Sequence, residues 1–342
     1  MFLDQTTYSV GVNPISVAVV DVNSDNKPDI IVANDISTGT VSVLLNAGNG
    51  TFKTQTIYSA GTNPRSVAVV DVNSDNKPDI VVANDISPGT VSVLLNVGNG
   101  TFNAQTTYPV GNYPLSVAVV DVNSDNKPDI VVASYSLNKV GVLLNTGSGT
   151  FNAQTTYSVG TNPYSVVVVD VNSDNISDII TANYASNTVS VLLNTGSGTF
   201  NAQTTYPVGT NPFSVVVVDV NSDNISDIIT ANHASNTVSV LLNTGSGTFN
   251  AQTIYSAGTS PRSVAVVDVN SDNKPDIIVA NYGSNNVSAL LNAGNGIFNA
   301  QTTYPVGTNP FPVAVIDVNN DNKPDIVVTN GGSNTVSVLL HC

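Results

Sequence analysis

Apolar residues along this chain come in short bursts, and each burst ends in a cluster of Asp, Asn, Ser or Gly. Residues 163–206, PYSVVVVDVNSDNISDIITANYASNTVSVLLNTGSGTFNAQTTY, show the whole pattern. SVVVVDV is apolar at nearly every position, which predicts a strand covered on both faces. DIITAN is similar, TVSVLLN alternates more, and FNAQTTY is mostly polar. Four short strands divided by turn formers are therefore predicted, with burial declining from the first to the last. No helical period runs through any of them.

The unit repeats. DVNSDNKPDI begins at Asp21, Asp71, Asp121 and Asp268, DVNSDNISDI at Asp170 and Asp219, and DVNNDNKPDI at Asp317, so the period is 50 and then 49 residues. Such an array is read as one domain over residues 1–342. A burial gradient across four strands fits a radial blade, whose inner strands are sandwiched between neighbours while the outermost meets water. The predicted fold is all-β, a seven-bladed β-propeller of four-stranded antiparallel blades. These run at about 15–58, 65–108, 115–157, 164–206, 213–255, 262–304 and 311–340 plus 2–8. The last assignment comes from the ends: FLDQTTY at 2–8 matches the fourth strand FKTQTIY at 52–58, whereas TVSVLLHC stops just after a third strand. The N-terminal strand is expected to complete the last blade, closing the ring and removing two open sheet edges. The chain has no Trp, which excludes propellers built on a Trp-Asp signature.

Charge then narrows the chemistry. The net charge is −15, all 24 acids are Asp, and only Asp4, Asp35 and Asp85 lie outside the repeated loops. Nucleic acid and anionic membrane should be repelled. No apolar run approaches the roughly 18 residues of a membrane span, and no signal peptide is visible at the start of the sequence. The single cysteine, Cys342, allows no internal disulfide.

Each repeated loop joins the first and second strands and reads D-x-N-x-D-x-x-x-D. Its members are Asp21, Asn23, Asp25 and Asp29; Asp71, Asn73, Asp75 and Asp79; Asp121, Asn123, Asp125 and Asp129; Asp170, Asn172, Asp174 and Asp178. The remaining loops hold Asp219, Asn221, Asp223 and Asp227; Asp268, Asn270, Asp272 and Asp276; Asp317, Asn319, Asp321 and Asp325. Side chains at alternate positions converge when the backbone curls, and a set of hard oxygens without His or Cys selects Ca²⁺. By analogy with the EF-hand loop, the backbone carbonyl of the seventh residue is expected to join them, at Lys27, Lys77, Lys127, Ile176, Ile225, Lys274 and Lys323. Up to seven Ca²⁺ would bring fourteen positive charges against the net −15. A structural role follows, because carboxylates roughly 4 Å apart repel by several kcal/mol at intermediate dielectric unless a cation lies between them.

These loops, the seven copies of about 50 residues and the GTF leading into the last strand resemble the FG-GAP (VCBS-like) repeat family, typified by the propeller of integrin α subunits. The resemblance covers essentially the whole chain. It departs from the family pattern in lacking Phe-Gly and Gly-Ala-Pro tripeptides and in keeping all seven loops intact. A second resemblance is to mushroom lectins with Ca²⁺-bearing seven-bladed propellers, which implies glycan binding by analogy of fold.

Comparing the copies with one another locates the variation. One variable position follows the Pro before the first strand: Ile15, Arg65, Leu115, Tyr164, Phe213, Arg262 and Phe311. The other follows the second strand: Asp35, Asp85, Tyr135, Tyr184, His233, Tyr282 and Gly331. Both belong to the face opposite the Asp-rich loops, so their side chains are expected to form a ring there. Arg65, Tyr135, Tyr164, Tyr184, Phe213, His233, Arg262, Tyr282 and Phe311 are of the types that anchor ligands, which points to a glycan or an extracellular protein as partner. His233 has no evident mate, so no enzyme is expected. Weak Ca²⁺ sites fill at extracellular concentrations, and N-x-[ST] sequons at Asn49, Asn99, Asn175, Asn224 and Asn286 suit the same route. A secreted or cell-surface monomeric propeller is the expectation. A purely structural or adhesive array and the propeller of a larger secreted enzyme are the alternatives.

Overall fold

The computed structural model describes residues 2–342, and all of its regular structure is β apart from a three-residue 3₁₀ turn at Tyr135–Leu137. Seven four-stranded antiparallel sheets stand around one axis. Blade one consists of Pro14–Val20, Asp29–Asn34, Thr40–Leu44 and Thr56–Ser59, and the other six repeat it. The first strands of adjacent blades pack against each other and line a central channel. The core lies between blades, where Ile31, Val41 and Val43 of blade one meet Val67, Ile80, Val82 and Leu94 of blade two. Each fully buried Ile or Leu of this kind contributes about 1.5–3 kcal/mol relative to an exposed one.

The burial gradient differs from the expectation in one respect. The second strand, not the first, is buried at all six positions. Half of strand one is only partly covered, because its inner edge borders the channel rather than another sheet. The outer strand is also shorter than predicted, beginning in blade four at Thr204 instead of Phe200. Phe200 bridges back to Asn194 across the Gly-rich hairpin and sets its ring against Tyr157 of the preceding blade at 5.2 Å.

The ring closes through the N-terminal strand. Thr6–Ser9 pairs antiparallel with Thr335–Leu339, Thr6 lying opposite Val338 and Ser9 opposite Thr335. Phe2 meets Tyr304 at 5.3 Å, the same edge contact that Phe52 makes with Tyr8. Residues 2–9 therefore do in blade seven what a continuous hairpin does in the other blades.

Two polar ladders tie blade to blade. Ser16, Ser66, Ser116, Ser165, Ser214 and Ser263 each accept the strand-one amide of the next blade, Val67, Val117, Val166, Val215, Val264 and Val313, at 3.0–3.4 Å. Pro312 stands at the seventh position, so among the described residues no serine of this ladder reaches the Val17 amide. On the opposite face Asn46, Asn96, Asn145, Asn194, Asn243 and Asn292 donate their side-chain amides to a carbonyl in the loop of the preceding blade, such as Val318 at 2.9 Å from Asn46.

Candidate functional site

The Asp-rich loops occupy one face of the ring. Asp21 organises its loop by accepting backbone amides at both oxygens, Asn23 (3.1 Å), Ser24 (2.7 Å) and Asp25 (3.3 Å) at Oδ1 and Asn26 (2.7 Å) at Oδ2. Asn23 accepts the Asp25 amide and Asp25 accepts the Lys27 amide, each at 3.0 Å. This curl needs left-handed backbone at Ser24 (φ 63°) and Asn26 (φ 61°), a conformation that Asn adopts more readily than most residues. Asp71, Asp121, Asp170, Asp219, Asp268 and Asp317 repeat it, each accepting the amide five residues on at 2.7 Å.

The third acid behaves differently. Asp29 is fully buried, its Oδ2 accepting the Val22 amide (3.0 Å) and its Oδ1 the Asn46 amide (2.7 Å). In blade seven His341 stands at the Asn46 position, and its amide donates to Asp325 at 2.7 Å. Burial pushes Asp29, Asp79, Asp178 and Asp227 up to about 6; the two amide donors pull the other way, and the neighbouring loop carboxylates add to the rise. Asp129, Asp276 and Asp325 are raised for the same reasons.

Among the described residues no three His, Cys, Asp or Glu side chains are gathered closely enough to hold a metal as they stand. The carboxylates are turned instead toward their own backbone, and Lys27, Lys77, Lys127 and Lys274 lay an ammonium 3.2–3.5 Å from the second acid. In the loops with Ile176 and Ile225 an Asn side chain takes that place, Asn172 reaching Asp174 at 3.0 Å and Asn221 reaching Asp223 at 2.9 Å. The donor set nonetheless fits a hard divalent cation: each loop holds three carboxylates and an amide oxygen, all oxygen donors, and Asp29 is buried within electrostatic reach of Asp21 and Asp25. The side chains of Asp21, Asn23, Asp25 and Asp29, with their counterparts, would hold it. Its chemistry there would be charge neutralisation.

The variable positions gather at the other mouth of the channel. The expectation of an outward-facing ring needs correction for its centre, because Leu115, Tyr164 and Phe213 form a buried cluster in the channel, with Tyr135, Tyr184 and Phe311 packed against it. Strand one starts at the axis, so the seven residues there line the narrow bore, with Leu115, Tyr164 and Phe213 buried in it. Tyr164 and Phe213 lie with ring centroids 3.7 Å apart, and Phe213 also contacts His233 (5.3 Å) and Phe311 (5.7 Å). Arg65 donates to Asp35 Oδ2 at 3.0 Å and to the Tyr164 hydroxyl. Arg262 lies over the Tyr282 ring at 3.4 Å and over Phe213 at 5.0 Å. Burial and, after it, the nearby Arg262 hold the His233 imidazole below its usual range.

Three sets of residues escaped the sequence reading. The six inter-blade Asn residues were legible as the Asn that ends each LLN. The sequence marks Asp85 as variable without marking it as a binding group. Tyr113 is the third: it stands where the other repeats carry Asn13, Asn63, Asn162, Asn211, Ser260 and Asn309, all at φ of 51–55°, and it takes φ 53° itself. Left-handed backbone costs a bulky residue roughly 1–2 kcal/mol. Tyr113 also forgoes the inter-blade bond that Asn162 and Asn211 make to the carbonyls of Tyr135 (3.1 Å) and Tyr184 (2.9 Å). Tyr113 remains 44% exposed on the mouth.

Fold and loops together define a closed seven-bladed β-propeller with an Asp-rich loop in every blade. Six overlapping stretches, 21–82, 71–132, 121–181, 170–230, 219–279 and 268–328, match the FG-GAP-like repeat, and the chain belongs to that family. No curated protein sequence matches it. Among solved structures, BBS1N in complex with ARL6DN superposes with a TM-score of 0.71 at 13% identity, covering 100% of this chain and 97% of that one. An Agrocybe aegerita lectin described as recognising non-reducing terminal N-acetylglucosamine gives 0.62 at 21% identity, covering 94% and 86%. Virginiamycin B lyase from Staphylococcus aureus gives 0.68 at 14%, covering 99% of each chain. At these identities the likeness is one of fold. Among the described residues no helix is long and apolar enough to cross a membrane.

Proposed function

We propose that this chain is a non-catalytic recognition module outside the cell, stapled on one face by Ca²⁺ and binding glycan at the channel mouth on the other. One observation carries the recognition reading: a scaffold repeated almost unchanged seven times departs from its own symmetry chiefly at the mouth. There Arg65, Tyr135, Tyr164, Tyr184, Phe213, His233, Arg262, Tyr282 and Phe311 replace one another. Such a cluster of aromatic and guanidinium groups stacks on and hydrogen-bonds to ligands. The fold likeness to a glycan-binding lectin favours glycan as the class. Calcium is supported by the seven oxygen-only donor sets and by the buried carboxylates, whose charge a divalent cation would offset.

The test is a glycan array with parallel pull-downs of extracellular proteins, each run with calcium and with EGTA. Glycan binding that falls when Tyr184 and Tyr282 are changed to Ala is expected. A blank array, or binding indifferent to the whole mouth, refutes the reading; protein capture alone would favour the adhesive alternative.

A further inference from the structure

At the mouth, between blades two and three, lies a cavity of about 440 Å³ walled by Tyr113, Tyr135, Tyr164, Arg65, Asp85 and Ser136. Its volume falls within the roughly 300–1,000 Å³ typical of small-molecule sites. Tyr113 is there at the expense of local geometry, since the same backbone conformation is held by Asn or Ser in the six other repeats and the inter-blade bond of Asn162 and Asn211 is given up. A bulky residue kept in left-handed backbone, exposed beside two further tyrosines, marks a ligand wall rather than a turn. The second observation is independent. Asp85 is half-buried, yet among the described residues its carboxylate accepts no hydrogen bond, while the Arg65 guanidinium beside it is already engaged by Asp35 and Tyr164.

We propose that this cavity binds one neutral hexopyranose, its C–H face stacked on Tyr113 and its hydroxyls donated to Asp85. The lining selects against charge in both directions. Its one carboxylate, Asp85, lies within electrostatic reach of its one guanidinium, Arg65, so the lining offers no net charge to an ion of either sign. A pyranose presents a flat apolar face and a rim of hydroxyls that both donate and accept, matching tyrosine rings beside a carboxylate, a guanidinium and the Ser136 hydroxyl. The inference rests on the recognition reading above and narrows it to one pocket.

Calorimetric titration of the full chain in calcium, with methyl glycosides of glucose, galactose, mannose and N-acetylglucosamine, tests it beside free glucuronate and glucosamine. At least one neutral glycoside should bind. Tyr113→Asn, which installs the residue most repeats carry, should weaken it by roughly tenfold or more with no loss of melting temperature, and Asp85→Asn should weaken it similarly. Tighter binding of glucuronate or glucosamine overturns the proposed chemistry. Glycoside binding untouched by Tyr113→Asn but lost in Tyr184→Ala moves the site elsewhere on the mouth and leaves the recognition reading intact. If no glycoside binds while the array shows Tyr184-dependent glycan binding, the pocket assignment alone fails; a blank array as well sinks both.

Discussion

Two aspartates four residues apart in one loop do different work. Asp178 is buried with both oxygens on the amides of Val171 (3.1 Å) and Asn194 (2.7 Å), whereas Asp174 is exposed. Replacing Asp178 by Ala strands two buried amides and should destabilise the protein by about 3 kcal/mol in urea unfolding. Asp174→Ala, measured in chelator, should cost under about 0.5 kcal/mol, because nothing buried depends on it. If both side chains hold a calcium ion, each variant should also lose the stabilisation that the ion adds, and the difference between the two should persist in calcium. The lysines at the seventh position give a second test. Lys27, Lys77, Lys127 and Lys274 place an ammonium on the acid that a cation would use, and an exposed ion pair contributes roughly 0.2–1 kcal/mol. Changing all four to Ile, the residue at 176 and 225, should tighten calcium binding by about two- to fivefold in a competitive chelator titration.

At the scale of the blade, the joint between blades seven and one lacks the serine link. Among the described residues its Val17 amide has no serine acceptor of that ladder, because residue 312 is Pro. Amide exchange at Val17 should be faster than at Val67, Val117, Val166, Val215, Val264 and Val313, and Pro312→Ser should slow it. The blades themselves were legible in the sequence, because apolar runs and Gly/Asn turns recur at a fixed period and strand register follows from them. The Asp-rich loops were legible for the same reason. What the repeat could not convey was radius. It assigns Tyr164 and Phe213 to the start of strand one, but only seven such starts brought round one axis show that they fill the bore instead of facing solvent. Tyr113 was hidden differently, since an aromatic at a turn position reads as loop variation until its left-handed backbone is seen.

Across the whole molecule, buried carboxylates set the response to pH and to metal. The third acid of every loop has its folded pKa raised above the unfolded value near 4, to about 6 in four of the loops. A group raised in this way favours the folded state most below the unfolded pKa, and that contribution is lost as pH rises through the folded one. In chelator, stability should therefore fall between about pH 4 and pH 7. Calcium binds the ionised form, so in its presence the decline should flatten or reverse.

The most direct measurement combines the metal content of protein purified without chelator with its melting temperature in 1 mM calcium and in EGTA. The account predicts several bound calcium ions per chain and a melting temperature lower in EGTA by on the order of 10 °C, from several sites each stabilising the folded ring by mass action. Metal-free protein that melts at the same temperature in both buffers would contradict it.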